Sequence, residues 1–179
     1  MKNKQRYNKT LPKVLRTACA ALIAAAAVIF VWDAFRPAET LTDGAECEFH
    51  FIDVGQGDCS MFFDKNSTVV VDAGTTESGE ATLEYIRRYT DTLDYLILTH
   101  PHEDHIGGLP YLMREFRAPI YGGRMTIELL KYKLDDRVPG LTKSCELHVV
   151  EAGETIRSGC FSVEFIHVNH SIADAVAFA

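Results

Sequence analysis

The strand-like run Leu93 to Leu98 leads straight into Thr99-His100-Pro101-His102-Glu103-Asp104-His105, and no other stretch limits the possible folds of this chain as much. Three imidazoles and the Asp104 carboxylate fall within six residues, from His100 to His105. Imidazole and carboxylate are the ligands that suit Zn²⁺ and related first-row ions, and a catalytic zinc keeps one position open for water. His100 and His102 are two residues apart, so an extended or turning backbone projects both to one side, towards one ion. Asp104 and His105 follow where the chain turns into Ile106-Gly107-Gly108-Leu109, in place for a second ion. A two-metal hydrolytic site holds its ions about 3.5–4 Å apart, and one short loop can supply most of such a site.

Around the loop the chain alternates strand and helix patterns, which predicts an α/β fold. Cys47 to Val54 and Asp58 to Phe63 read as strands about the turn Gly55-Gln56-Gly57, and Ser67 to Val71 as another. Glu80 to Tyr89, Leu109 to Phe116 and Met125 to Leu134 have helical spacing, Ala173 to Ala179 is strand-like, and a hairpin is expected around Ala152-Gly153. Gly55-Gln56-Gly57 precedes a strand rather than a helix, which rejects a dinucleotide fingerprint. Cys19, Cys47, Cys59, Cys145 and Cys160 contain no C-x-x-C pair, which argues against a zinc ribbon or thioredoxin-like centre. Cys145 and Cys160 are read as buried free thiols, with a disulfide between them as the alternative for an exported domain.

The pattern His-x-His-x-Asp-His followed by Gly-Gly-Leu resembles the signature loop of the metallo-β-lactamase superfamily, an αβ/βα sandwich of hydrolases. Residues 46–105 are similar to the metallo-β-lactamase-like domain of ComEC-type DNA-uptake proteins, through Phe51-Ile52-Asp53-Val54-Gly55-Gln56-Gly57-Asp58, Val69-Val70-Val71-Asp72-Ala73-Gly74 and Leu98-Thr99-His100-Pro101-His102. Residues 96–179 resemble the N-terminal part of the catalytic domain of bacterial ribonuclease J. The carriers are His105-Ile106-Gly107-Gly108-Leu109-Pro110, Ala118-Pro119-Ile120-Tyr121-Gly122, Leu147 to Glu154, and Phe165-Ile166-His167-Val168-Asn169-His170-Ser171. The resemblance implies that His100, His102 and His170 ligate one metal and that Asp104 and His105 ligate the other. It places Asp72 as the carboxylate that steadies the metal loop, and Asp72 and Asp104 are the residues assigned to catalysis. The implied cofactor is Zn²⁺ in a two-metal site, with other divalent ions as alternatives. His50, His148 and His167 match no ligand position and read as ordinary strand residues; Glu103 receives no catalytic role.

Both branches continue past the third motif to a Gly-Asp and a final histidine, whereas this sequence stops at Ala179. The expectation is therefore a sandwich incomplete at the C-terminus over 46–179, with one sheet face uncovered and poor solubility.

Lys2, Lys4, Arg6, Lys9, Lys13 and Arg16 precede the uncharged run Ala18 to Trp32, and no acidic residue occurs before Asp33. This pattern reads as a basic cytoplasmic segment (1–16), a hydrophobic signal-anchor or transmembrane helix (17–35) and a linker (36–45). A cleaved signal peptide and an amphipathic or core helix are the alternatives. An anchor places 46–179 on the extracytoplasmic side of a membrane; the ribonuclease J resemblance implies the cytoplasm instead.

Those six basic residues are a third of the 18 Lys and Arg, which leaves 12 positive against 25 acidic side chains from Asp33 onward, a balance of −13. Nucleic-acid binders usually carry a basic face, so an RNA partner requires bound metal to supply positive charge where a phosphate sits. The function expected is a metal-dependent phosphodiesterase of the ribonuclease J type, which cleaves RNA with a zinc-activated hydroxide. The alternatives are an exported ComEC-like enzyme acting on DNA or another phosphodiester, and a catalytically incomplete metal-binding fragment.

Overall fold

The computed structural model describes residues 13–34 and 45–179. The basic segment expected at 1–16 and the linker expected at 36–45 lie outside the described residues, apart from residues 13–16 and 45. The chain divides into two compact units, Met1–Pro37 and Ala38–Ala179.

Among its described residues the first unit holds one helix, α1 (Lys13–Ala34). Alanine has the highest helix propensity, and no Gly or Pro interrupts the segment. Its apolar side chains stand in the open, with Leu22 and Ile23 each 70% exposed. The membrane-spanning helix expected at 17–35 is not met, because among the described residues no helix is long and apolar enough to cross a membrane. The uncharged run Ala18 to Trp32 within it covers roughly 22 Å, against a hydrocarbon core of ~30 Å.

The second unit is built on a six-stranded sheet whose spatial order follows the chain. Strands β1 (Cys47–Phe51), β2 (Ser60–Asp64) and β3 (Thr68–Val71) form an antiparallel meander, and β4 (Tyr95–Ile97), β5 (Ile120–Gly122) and β6 (Leu147–Val149) continue it in parallel. Parallel strands need crossovers, and helices α2 (Gly79–Ile86), the short α3 (Glu103–Ile106) with α4 (Leu109–Glu115), and α5 (Arg124–Arg137) provide them. Leu83, Ile86, Leu112, Ile127, Leu130 and Leu134 of these helices bury Met61, Val70, Leu96 and Ile120 on one sheet face.

The opposite face carries Phe62, Val69 and Ile97, and is covered by a second sheet of β7 (Thr155–Ser158), β8 (Phe161–His167) and β9 (Val176–Phe178) through Val163, Phe165 and Val176. Burial on both faces explains why Val69-Val70-Val71 and Leu96-Ile97-Leu98 are continuously apolar instead of alternating. The second sheet is inward-facing at Val163 and Phe165, while Ile166 on its outer side is 40% exposed. The α/β class is as expected.

The hairpin expected around Ala152-Gly153 is not there. Val149 pairs with Gly122 in the first sheet, and the chain then crosses to the second, where the hairpin turn is Gly159-Cys160 between Ser158 and Phe161. Cys145 and Cys160 are both free, and Cys160 is exposed instead of buried.

Candidate metal centre

The C-terminal ends of parallel strands β3 and β4 lie side by side, Val71 opposite Ile97, so the loops that leave them meet at one edge of the sheet. That edge is where open α/β sheets bind ligands. The first residue past β3 is Asp72, which is 1% exposed and has φ +56°, a left-handed backbone that Asp tolerates better than most residues. Its amide donates to the Ile97 carbonyl at 2.9 Å. This bend turns the carboxylate under the loop that follows β4. Asp72 Oδ1 accepts the Thr99 amide at 2.9 Å, and Oδ2 accepts the Thr99 hydroxyl at 2.6 Å and His105 Nδ1 at 2.8 Å. Burial pushes the Asp72 carboxyl above its ordinary pKa, and the bonds from His105 and Thr99 oppose that rise. A carboxylate on Nδ1 fixes the histidine tautomer and directs the Nε2 lone pair outward, as metal-ligating imidazoles require.

His100 is 6% exposed, and its Nε2 faces His102 Nδ1 at 3.1 Å. Its other nitrogen, Nδ1, lies 2.9 Å from the Thr99 hydroxyl. His170 arrives from the second sheet, on the loop between β8 and β9, with its ring centroid 4.4 Å from that of His100 and 5.2 Å from that of His102. The loop is held to the site by the amide of Val176, which donates to the Thr99 carbonyl at 3.0 Å. One nitrogen from each of His100, His102 and His170 lies within 4.8 Å of the other two, a group that could hold a metal ion. Burial lowers the pKa of His100 to about 4, with neighbouring His105, His170 and His102 adding to the effect. His100 is therefore neutral at pH 7, the state in which an imidazole binds metal. Three imidazoles whose nitrogens converge, one of them backed by a hydroxyl, fit a zinc-type ion.

Asp104 and His105 form the adjoining group, with the His105 ring 3.9 Å from that of His100. His105 Nε2 lies 3.9 Å from Asp104 Oδ2 and 3.8 Å from Asp58 Oδ2. Burial works against charge on His105, but Asp72 first, then Asp104 and Asp58, raise its pKa above the ordinary value. The five predicted ligand residues and Asp72 are thus brought to one edge of the sheet.

Thr99 and Asp58 had no assigned role. The signal for Thr99 was its place between strand and first histidine; that for Asp58 was a Gly-x-Gly turn with no phosphate-loop context. Glu103 points away from the histidines and accepts Lys133 Nζ at 2.6 Å and the Thr76 hydroxyl at 2.7 Å, which anchors α3 to α5. Gly108 is required for close approach: a Cβ there would lie 2.1 Å from the Ala73 carbonyl oxygen. The loops are joined there by Ala73 N–H to His105 O at 2.7 Å and Gly108 N–H to Gly74 O at 3.0 Å. His50 bonds Glu48 and Tyr85, His148 stacks on Tyr121, and His167 ends β8, all as ordinary strand residues.

The family model of the metallo-beta-lactamase superfamily matches residues 52–171. Ribonuclease J of Helicobacter pylori is 36% identical over 123 residues, covering 63% of this chain and 18% of that protein. Ribonuclease J of Synechocystis is 39% identical over 99 residues, covering 54% of this chain and 15% of that protein. The chain thus spans less than a fifth of the length of these relatives. Among solved structures it is similar to metallo-beta-lactamase SMB-1, with TM-score 0.63 and 16% identity over 80% of this chain and 59% of that one, a likeness of fold. The Helicobacter match takes in more residues than lie between 96 and 179, so similarity to ribonuclease J extends upstream of the metal loop. The ComEC-type resemblance of residues 46–105 rests on its own motifs alone.

Proposed function

Because this chain belongs to the metallo-β-lactamase superfamily, we propose that it is the metal-binding part of a phosphodiesterase of the ribonuclease J type, acting on RNA. The observation that carries this reading is the convergence of His100, His102 and His170 from two different sheets beside Asp104 and His105. In this reading the first three histidines hold one zinc ion, and Asp104 and His105 contribute to a second.

A divalent metal held there would supply an acidified water and polarise a phosphoryl oxygen. The chain's own residues prepare the site for it. Asp72 keeps the proton of His105 on Nδ1, which would leave Nε2 to ligate an ion. Thr99 bridges Asp72 and His100 through one hydroxyl, which fixes the rings relative to each other. Burial keeps His100 neutral and ready to ligate. The acidic balance of the chain offers phosphate no general attraction, so the substrate must be drawn by the metal site itself.

The test is incubation of the zinc-loaded chain with single-stranded RNA, single-stranded DNA and a chromogenic β-lactam. RNA cleavage that disappears in His102→Ala supports the proposal. Cleavage of DNA alone favours the ComEC-like reading. Stoichiometric zinc without turnover on any substrate leaves a metal-binding fragment and overturns the enzymatic reading.

A further inference from the structure

The turn between β7 and β8 is seated on the turn between β2 and β3, at the opposite end of β3 from Asp72 and the histidines. Asp64, the last residue of β2, accepts the Cys160 amide on Oδ2 at 2.9 Å. A Cβ at Gly159 would lie 2.5 Å from the same oxygen, so the turn can approach this closely only with glycine there. The buried hydroxyls of Ser67 and Ser158 bond each other and close the contact from its inner side.

Asp64 is also the cross-strand partner of Cys47, the first residue of β1. Residues directly opposite in an antiparallel pair have Cα atoms about 4.5–5.5 Å apart and side chains on one face. Asp64 therefore has Cys47 beside it within the first sheet and Cys160 bonded to it from the second. The next pair along the same face repeats the juxtaposition, with the Phe49 ring 5.8 Å from that of Phe161. The thiols sense each other as well. Desolvation comes first among the causes that push the Cys160 thiol up to about 11, although the residue is exposed, and the Asp64 side chain and then Cys47 follow. The remaining cysteines lie elsewhere. Cys59 is buried in the core between the first sheet and the helices, Cys145 packs against that same core with its thiol on the Leu141 carbonyl at 3.4 Å, and Cys19 belongs to α1.

We propose that Cys47 and Cys160 are a redox pair that closes to an intramolecular disulfide and ties the edge strand of the first sheet to the second sheet. The oxidant is a small-molecule disulfide of the glutathione class. One protein thiolate attacks it, which releases one oxidant thiol and leaves a mixed disulfide; the second protein thiolate then attacks the bound protein sulfur and releases the other. Two protein thiols are oxidised, one disulfide is reduced to two thiols, and those two thiols carry away the protons. The bond closes a loop from residue 47 to residue 160, and a loop this long takes much conformational freedom from the unfolded chain. A thiol that ionises reluctantly is a poor leaving group, so the bond once made resists reduction.

The experiment treats the full, reduced chain with oxidised glutathione, alkylates the remaining thiols, and maps the peptides by mass spectrometry without reduction, with a thermal melt alongside. A linked peptide joining Cys47 to Cys160 is expected, with two of the five thiols lost and a melting temperature raised by about 5 °C or more. Dithiothreitol should reverse both changes. Cys145→Ser should leave linkage and shift as they are, whereas Cys47→Ser should abolish both and leave Cys160 as a glutathione adduct. Such an adduct in the unsubstituted chain, with Cys47 alkylated, overturns the pairing. So does a link from Cys160 to Cys145 or to a second copy of the chain, or alkylation of all five thiols after excess oxidant. Linkage without a rise in melting temperature overturns the bracing role.

Discussion

Asp72 does three things from one buried position: it turns the chain through φ +56°, holds Thr99 twice and holds His105 once. Asn tolerates the same backbone but offers one acceptor oxygen in place of two. Asp72→Asn should therefore leave the fold intact and weaken metal binding by about 10–100-fold, as loss of a carboxylate behind a ligating histidine generally does. Competition with a chromophoric chelator measures this, and unchanged affinity would show that the His105 tautomer needs no carboxylate. A second carboxylate works for the fold rather than the site. Asp64 Oδ1 accepts the Asn66 amide at 2.7 Å and Oδ2 the Cys160 amide at 2.9 Å, and these bonds hold its pKa below the ordinary value. A depressed carboxylate pKa contributes stability that is present above the unfolded value of about 3.9 and is lost as pH falls through the folded value. Asp64→Asn should thus lower the urea midpoint at pH 7, and the gap from the parent chain should close as the solution is acidified below pH ~4. A gap that persists at acid pH would count against this linkage.

The metal centre depends on both layers, but unequally. Phe165 of β8 is fully buried between the sheets, and the same strand leads to His170. Leu130 of α5 is as deeply buried on the helical side, away from the histidines. Phe165→Ala should cost about 3–5 kcal/mol and Leu130→Ala about 2–5 kcal/mol. Only the first should also weaken the three-histidine site, because it loosens the element that presents His170. Equal effects of the two on zinc affinity would show that the second sheet does not position that ligand. The helices and first-sheet strands were legible in the sequence because periodicity and continuous apolar runs are local signals. Their ends were not: Leu98 and Cys59 extend the apolar pattern, yet their backbone groups bond Tyr121 and Ile52 outside the ladders. Ala152-Gly153 announced a turn correctly but not which sheet the chain enters next, since turn chemistry says nothing about strand partners. The candidate histidine ligands were legible because most of them lie in one short segment. The nearness of Asp58 to His105 was not, because it arises only through a backbone docking 46 residues distant in sequence.

At the scale of the whole chain, apolar surface remains in the open in both units. In the first, Leu22, Ile23, Val28 and Ile29 of α1 are each about two-thirds exposed. In the second, β1 is the last strand of its sheet, and its residues 47, 49 and 51 share the face that the second sheet covers. Phe49 stacks on Phe62 at 5.5 Å and meets the edge of Phe161 at 5.8 Å, yet is still 61% exposed, and Phe51 beyond it is 86% exposed. An edge strand with exposed aromatic side chains is a template for pairing with another chain. The net charge of −7 opposes that contact only through solvent, and salt screens such repulsion within about 8 Å at physiological strength. Self-association should therefore rise with both protein and salt concentration, the reverse of what an electrostatic contact would do. Two contributions are separable by sedimentation velocity. Removal of residues 1–37 should reduce association without abolishing it, because β1 is untouched. Phe51→Lys added to that truncation should remove most of the remainder: lysine on an edge strand blocks pairing, and a side chain this exposed leaves little packing to lose. Monomers at ~100 µM in high salt for the unmodified chain would show that these surfaces are too small or too dispersed to drive assembly. Association that survives both changes would place the contact elsewhere, with the outward-facing Ile166 of the second sheet the next surface to alter.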